Sequence, residues 1–149
     1  MLDYKIFDPS NPPKEDERKE IIKFLHTHLD QFRDTPEAIG NAVAYALGES
    51  SKPGGFILEG KEKGETVGVV VINKTGMESY IPDNILVYIA VDKKFRGKGY
   101  GRELMIKAIE MAEGDIKLHV EHDNPARFLY QKLGFTNKYM EMRLLRGKK

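Results

Sequence analysis

The sequence predicts an α/β domain: a mixed sheet, partly antiparallel and partly parallel, with helices on both faces. Three observations predict it. First, two strand-like segments, Gly55 to Gly60 and Thr66 to Asn73, flank the connector Lys61-Glu62-Lys63-Gly64-Glu65, which reads as an antiparallel hairpin. Second, the apolar run Ile85-Leu86-Val87-Tyr88-Ile89-Ala90-Val91 leads through a glycine-spaced loop into a helical pattern. Third, another strand and another helix follow, and β-α-β crossovers of this kind impose parallel pairing. The predicted order is β-α-α-β-β-β-α-β-α-β. With 149 residues, the chain is read as one domain, residues 1–149.

Each element has a local cause. Leu2 to Phe7 alternates apolar and polar residues, as a strand does. Ser10-Asn11-Pro12-Pro13 breaks it, and Glu15, Asp16 and Glu17 suit the positive end of a helix dipole. Ile21, Phe24, Leu25, His28, Leu29 and Phe32 continue at helical spacing. Thr35-Pro36-Glu37 starts a second helix, with Thr35 as cap and Gly48 as stop. Ala38, Ile39, Ala42, Val43, Ala46 and Leu47 form its apolar stripe. The unbroken run Ile85 to Val91 suits a strand covered on both faces. The helix after it carries Leu104, Met105, Ala108, Ile109 and Ala112, and Gly114 suits its C-terminal end. Ile116 to Glu121 reads as a strand. Asp123-Asn124-Pro125 opens a helix with Ala126, Leu129, Tyr130 and Leu133 inside and Gly134 at its end. Phe135 to Leu145 holds a last strand, with Met140, Met142 and Leu144 alternating, before the loose basic tail Arg146-Gly147-Lys148-Lys149.

Composition excludes several function classes. A net charge of +1 gives no global field for nucleic acid. Cysteine is absent, which removes disulfides, thiolate metal sites and a cysteine nucleophile. His119 with His122, and His26 with His28, are badly spaced as metal pairs, so no metal site is expected. No apolar run approaches a membrane span and the N-terminus is not a signal peptide, so the cytoplasm is expected.

Arg96-Gly97-Lys98-Gly99-Tyr100-Gly101 carries the chemistry. Glycines let backbone N–H groups face a ligand with no Cβ in the way. The first turn of the following helix adds unpaired N–H groups and a partial positive charge, and Arg96 and Lys98 add full charges. The stretch therefore reads as a diphosphate cradle. It is not a Walker loop, because Gly97-Lys98 is followed by Gly99. A Rossmann reading has Glu121 where a ribose acid belongs, but the glycine spacing is wrong and too little chain follows.

Arg96-x-x-Gly99-x-Gly101 after an apolar strand resembles the acetyl-CoA loop of the GNAT superfamily of N-acetyltransferases. The segment Asp123 to Phe135, DNPARFLYQKLGF, resembles that superfamily's second signature. Ala126, Leu129, Tyr130, Lys132, Gly134 and Phe135 match. The family asparagine is met by Asp123, with Asn124 one step late, which leaves open which of them touches the pantetheine arm and which caps the helix.

The resemblance implies a GNAT-like fold and acetyl transfer from acetyl-CoA to a primary amine by direct attack in a ternary complex. It implies that Arg96 and the amides of Gly97, Lys98, Gly99, Tyr100 and Gly101 bind the pyrophosphate. It implies further that the amide of Val91, at the end of a strand that splays from its parallel neighbour, stabilises the oxyanion, and that Tyr130 is the general acid. A phenol has a reference pKa of about 10, near that of an alkyl thiol, so the proton transfer is nearly matched. The general base is open among Glu59, Tyr88, His119, Glu121 and water. The alternative reading is a non-catalytic CoA-binding sensor or regulatory module of the same fold.

By the same resemblance the acceptor, a small amine or a peptide, is gripped by the first two helices and their connection Asp30-Gln31-Phe32-Arg33-Asp34. The acids there suit an amine and Arg33 suits a carboxylate. Only Thr136-Asn137-Lys138-Tyr139 precede the final alternation, a short excursion that leaves the acceptor side open, and a homodimer is expected on that ground.

Overall fold

The structure, a computed structural model, describes residues 2 to 147; Met1, Lys148 and Lys149 lie outside the described residues, and with them the end of the expected basic tail. The chain divides into two compact units, Met1–Leu118 and His119–Lys149.

The first unit holds the sheet. β1 (Asp3–Phe7) is followed by α1 (Glu15–His28) and α2 (Pro36–Ala46), then β2 (Gly55–Glu62), β3 (Glu65–Lys74), β4 (Asn84–Val91), α3 (Tyr100–Met111) and β5 (Ile116–Leu118). Spatial order follows chain order, β1-β2-β3-β4-β5. The first four strands are antiparallel neighbours and β5 joins β4 in parallel. The mixed sheet expected from the hairpin and the crossover is thus present, and it is not the parallel sheet of a dinucleotide fold.

The local start signals act as expected. Thr35 Oγ1 accepts from Ala38 N at 3.1 Å, with Pro36 at the first helical position. Lys14 N donates to Glu17 Oε1 at 2.9 Å, so an acid in the first turn of α1 satisfies the amide before it.

The two faces of the sheet are covered differently. Ile21 and Leu25 of α1 and Ile39, Val43 and Ala46 of α2 form one core cluster with Ile57, Val69, Val71, Tyr88 and Ala90 of the sheet. On the other face, α3 lies close because two strands lack side chains beneath it. Gly60 and Gly68 are cross-strand partners. A Cβ on Gly68 would stand 2.5 Å from Leu104 Cδ1 and 2.9 Å from the Ala90 carbonyl oxygen. That seat sets the height of α3, and the loop leading into it, over the end of β4.

β4 is covered on both faces, as expected, but more fully on one. Leu86, Tyr88 and Ala90 are buried while Ile85, Val87, Ile89 and Val91 are only partly so. β5 is also shorter than expected, ending at Leu118 rather than Glu121.

The second unit holds α4 (Ala126–Lys132). Its end is closed by Phe135 N on Tyr130 O at 3.0 Å and Gly134 N on Gln131 O at 3.1 Å. The strand expected over Phe135 to Leu145 is absent among the described residues. Met140, Met142 and Leu144 are exposed, Met142 by 87%. Alternation makes a strand only where a neighbour supplies the ladder and a surface takes the apolar face. Among the described residues this segment has neither.

Candidate active site

β4 brings Val91 to the edge of the sheet. Asp92 N donates to Val67 O of β3 at 2.8 Å. Amides alternate along a strand, so the N–H of Val91 points to the opposite edge. β5 pairs only with Asn84 to Leu86, so beyond Leu86 that edge has no strand partner among the described residues. The strand pair is therefore open where the backbone of Val91 faces outward.

The chain then makes a short turn over Lys93–Phe95, capped by Asp92 Oδ1 accepting from Lys94 N at 3.0 Å. Arg96 begins the glycine loop. Gly97 and Gly99 have φ of 79° and 82°, in the left-handed region where a side chain is strained. A Cβ at either position would meet nothing within 4 Å, so the loop backbone is approachable. The first amide with an acceptor after Arg96 is Glu103 N, on Gly99 O at 3.1 Å. From Gly97 through Arg102 no backbone N–H has a protein acceptor among the described residues. Gly97, Lys98, Gly99, Tyr100 and Gly101 thus present consecutive free donors at a helix N-terminus, which fits a diphosphate.

The loop is strapped on two sides. Tyr100 Oη donates to Glu62 and Lys94 pairs with Glu65, the acids that flank the β2–β3 connector. The Glu62 bond pushes the Tyr100 phenol up. Lys98 lies over the Phe95 ring, 5.6 Å from its centre. Arg96 faces the other way. Its Nε donates to Val91 O at 3.0 Å, one terminal nitrogen to Asp30 Oδ2 at 2.8 Å, and the other to His28 O at 2.7 Å. The guanidinium read from sequence as a phosphate ligand is engaged with the protein, tying the end of α1 to the end of β4.

Asp30 stands on a 3₁₀ turn, Asp30–Phe32, with φ of 55°, and also pairs with Lys93 at 3.2 Å. The Arg96 hydrogen bond, ahead of Lys93, holds its carboxyl below the usual range. Asp34 Oδ2 takes the Tyr88 hydroxyl at 2.6 Å. Burial, then this bond, pushes the Tyr88 phenol well up. An open cavity of about 560 Å³ is lined by Thr27, Asp30, Gln31, Arg33 and Lys93.

The base candidates are dispersed. Glu59 Oε2 accepts from Thr66 Oγ1 at 2.6 Å. His119 and Glu121 are exposed beyond the end of β5. In the second unit, Asn124 Oδ1 accepts from Ala126 N at 2.9 Å, so Asn124 rather than Asp123 satisfies the start of α4. Tyr130 is buried, its ring edge meets Phe135 with centres 5.9 Å apart, and burial pushes its hydroxyl up to about 12.

Sequence reasoning left the ties of Arg96 to Asp30 and of Tyr88 to Asp34 unread. These partners are 66 and 54 residues apart. No spacing signal reaches that far.

The family model of the acetyltransferase (GNAT) family matches residues 13–135. No curated protein sequence matches the chain. Among solved structures, a protein of Pyrococcus horikoshii OT3 is 23% identical, with 94% of this chain and 93% of that chain covered and a TM-score of 0.68. An aminoglycoside acetyltransferase from an uncultured soil metagenomic sample is 19% identical, covers 99% of each chain and has a TM-score of 0.66. A ribosomal-protein-alanine N-acetyltransferase of Brucella melitensis is 16% identical, covering 98% of this chain and 100% of that chain, with a TM-score of 0.65. At these identities the likeness is one of fold.

Proposed function

Because the chain belongs to the acetyltransferase (GNAT) family, we propose that it transfers an acetyl group from acetyl-CoA to a primary amine, with both bound at once. The observation that carries this reading is the run of N–H groups from Gly97 through Arg102, without a protein acceptor among the described residues, beside the outward-facing amide of Val91. Acetyl-CoA would supply the acetyl group as an activated thioester. The loop amides would hold its diphosphate, and Lys98 would add charge. Arg96 serves by fixing the loop and capping Val91 O, which leaves the Val91 N–H as the donor for a carbonyl oxygen that gains charge.

Tyr130 is the proton donor in this reading. With its hydroxyl at about 12 it stays protonated at neutral pH and has a proton to give the thiolate that leaves as the C–S bond breaks. Asn124 Oδ1 is engaged at the start of α4, which leaves the Asp123 carboxylate and the Asn124 Nδ2 for the pantetheine arm. Both units serve one acetyltransferase domain, a reading supported by the family model running through them from residue 13 to 135. A homodimer is supported by the exposed row Tyr139, Met140, Met142 and Leu144, and sedimentation at working concentration tests it. Among the described residues no helix is long and apolar enough to cross a membrane, and a cytoplasmic enzyme is the reading adopted.

A thermal shift with acetyl-CoA against NAD tests the donor. At a hundred times its Kd the true ligand should stabilise the protein by about 2.7 kcal/mol. Stabilisation by NAD alone would overturn the reading. Gly99→Val should fold and lose acetyl-CoA affinity, because its side chain would cover the loop amides; unchanged affinity would remove the cradle.

A further inference from the structure

The cavity beside the end of β4 has its one lining acid engaged and a cation to spare. Its lining residues are Thr27, Asp30, Gln31, Arg33 and Lys93. Asp30 is the acid among them, and both of its oxygens are taken: Oδ1 by Lys93 at 3.2 Å and Oδ2 by Arg96 at 2.8 Å. Asp34, the other acid of the connection, accepts the Tyr88 hydroxyl on Oδ2 at 2.6 Å and does not line the cavity. Arg33 is exposed, and its guanidinium has no ion-pair or hydrogen-bond partner among the described residues. The balance at the cavity is one carboxylate already shared by two cations, and one guanidinium left over.

The cavity also adjoins the end of β4 where the Val91 amide lies. Val91 O accepts from Arg96 Nε, and Arg96 holds Asp30, which lines the cavity. Two hydrogen-bonded steps through one side chain thus separate the wall of the cavity from the backbone of Val91. Arg33 shares the wall of that cavity with Lys93, which stands two residues beyond the end of β4.

We propose that this cavity is the acceptor pocket and that the acceptor is an amine that also bears a carboxylate, held by the Arg33 guanidinium. This rests on the acetyl-transfer reading above. A polyamine or plain alkylamine would find no free acid in the cavity and would meet Arg33 and Lys93 as like charges. An amino acid, or a peptide ending in a free carboxylate, meets the fork geometry that a guanidinium offers to a carboxylate. Its length is accommodated by the open side of the cavity.

The experiment measures thiol release from acetyl-CoA with matched acceptors: lysine against cadaverine, ornithine against putrescine, and alanyl dipeptides with free against amidated C-termini. The carboxylated member of each turned-over pair should have the higher kcat/KM, by about tenfold or more. Arg33→Gln should erase that preference, mainly through KM, while melting temperature and acetyl-CoA affinity hold. Equal rates within the pairs, preference for the decarboxylated member, or a preference that survives Arg33→Gln overturns the proposal. So does acetyl-CoA binding with no carboxylated member turned over, an outcome that leaves the donor site standing. Absence of acetyl-CoA binding instead removes the reading on which the proposal rests.

Discussion

The segment from β4 through α3 and the segment after α4 were both strongly patterned in sequence, and they end in opposite conditions. The first is held from several directions. Leu104 sits over Gly68, Tyr100 and Lys94 reach the acids of the hairpin, and Arg96 reaches the end of α1. The second, from Thr136 onward, has only local side-chain ties among the described residues: Arg143 Nε on Glu141 Oε1 at 2.7 Å, two residues away, and Lys138 over the ring of its neighbour Tyr139. The first carried an unbroken apolar run followed by a helical stripe, the second an apolar alternation. The difference is that a helix closes its hydrogen bonds within itself, whereas a strand must borrow them from a neighbour. Periodicity names the face a segment would bury, and only a partner makes the burial happen.

The comparison can be broken in order of effect. Tyr130 should be felt most, because it stands for chemistry as well as packing. Tyr130→Phe keeps the ring and should lower kcat roughly 10²–10⁴-fold with acetyl-CoA affinity retained. Full activity with a lowered melting temperature would make Tyr130 a core residue and favour a CoA-binding module without turnover. The same residue has a pH signature. Its phenol moves from 10.0 to about 12 on folding, so its share of stability is level below pH 10 and falls as pH rises through about 12, because the unfolded chain loses the proton first. Tyr4 and Tyr88 shift in the same direction, so a spectrophotometric phenol titration should show late-ionising groups, with the late amplitude reduced in Tyr130→Phe.

Next comes the seat of α3. Gly68→Val places atoms where Leu104 and the Ala90 carbonyl oxygen already lie and should cost about 1–3 kcal/mol, read as a lower denaturation midpoint. Thr35→Ala should cost about 1 kcal/mol, since it frees the amide of Ala38. The smallest effect belongs to the C-terminal segment. Met142→Ser should change stability by less than about 0.5 kcal/mol in the monomer. If it destabilises as much as Gly68→Val, the segment is paired in solution and the contrast fails.

Much of the fold was legible because its causes are local. Thr35 with Pro36, the hairpin connector, and the glycines of the loop act through atoms within a few residues, so their spacing carries the information. The loop amides belong to this class: consecutive donors with no acceptor among the described residues follow from Gly97, Gly99 and the first turn of α3. Other features were decided by the tertiary structure. Arg96 was legible as a cation near a diphosphate loop, but its acceptors came from Asp30 and His28, brought there by the packing of α1 against the sheet. The acids of the α1–α2 connection were visible, yet whether they were free depended on Lys93, Arg96 and Tyr88 arriving from the other end of the chain. The sequence by itself determined which segments would curl, turn and present backbone donors, because those hydrogen bonds close within one turn. Which charges are spent, which edge of β4 lies open, and whether the last alternation becomes a strand were decided only by tertiary contact, because each needs a partner from elsewhere in the chain.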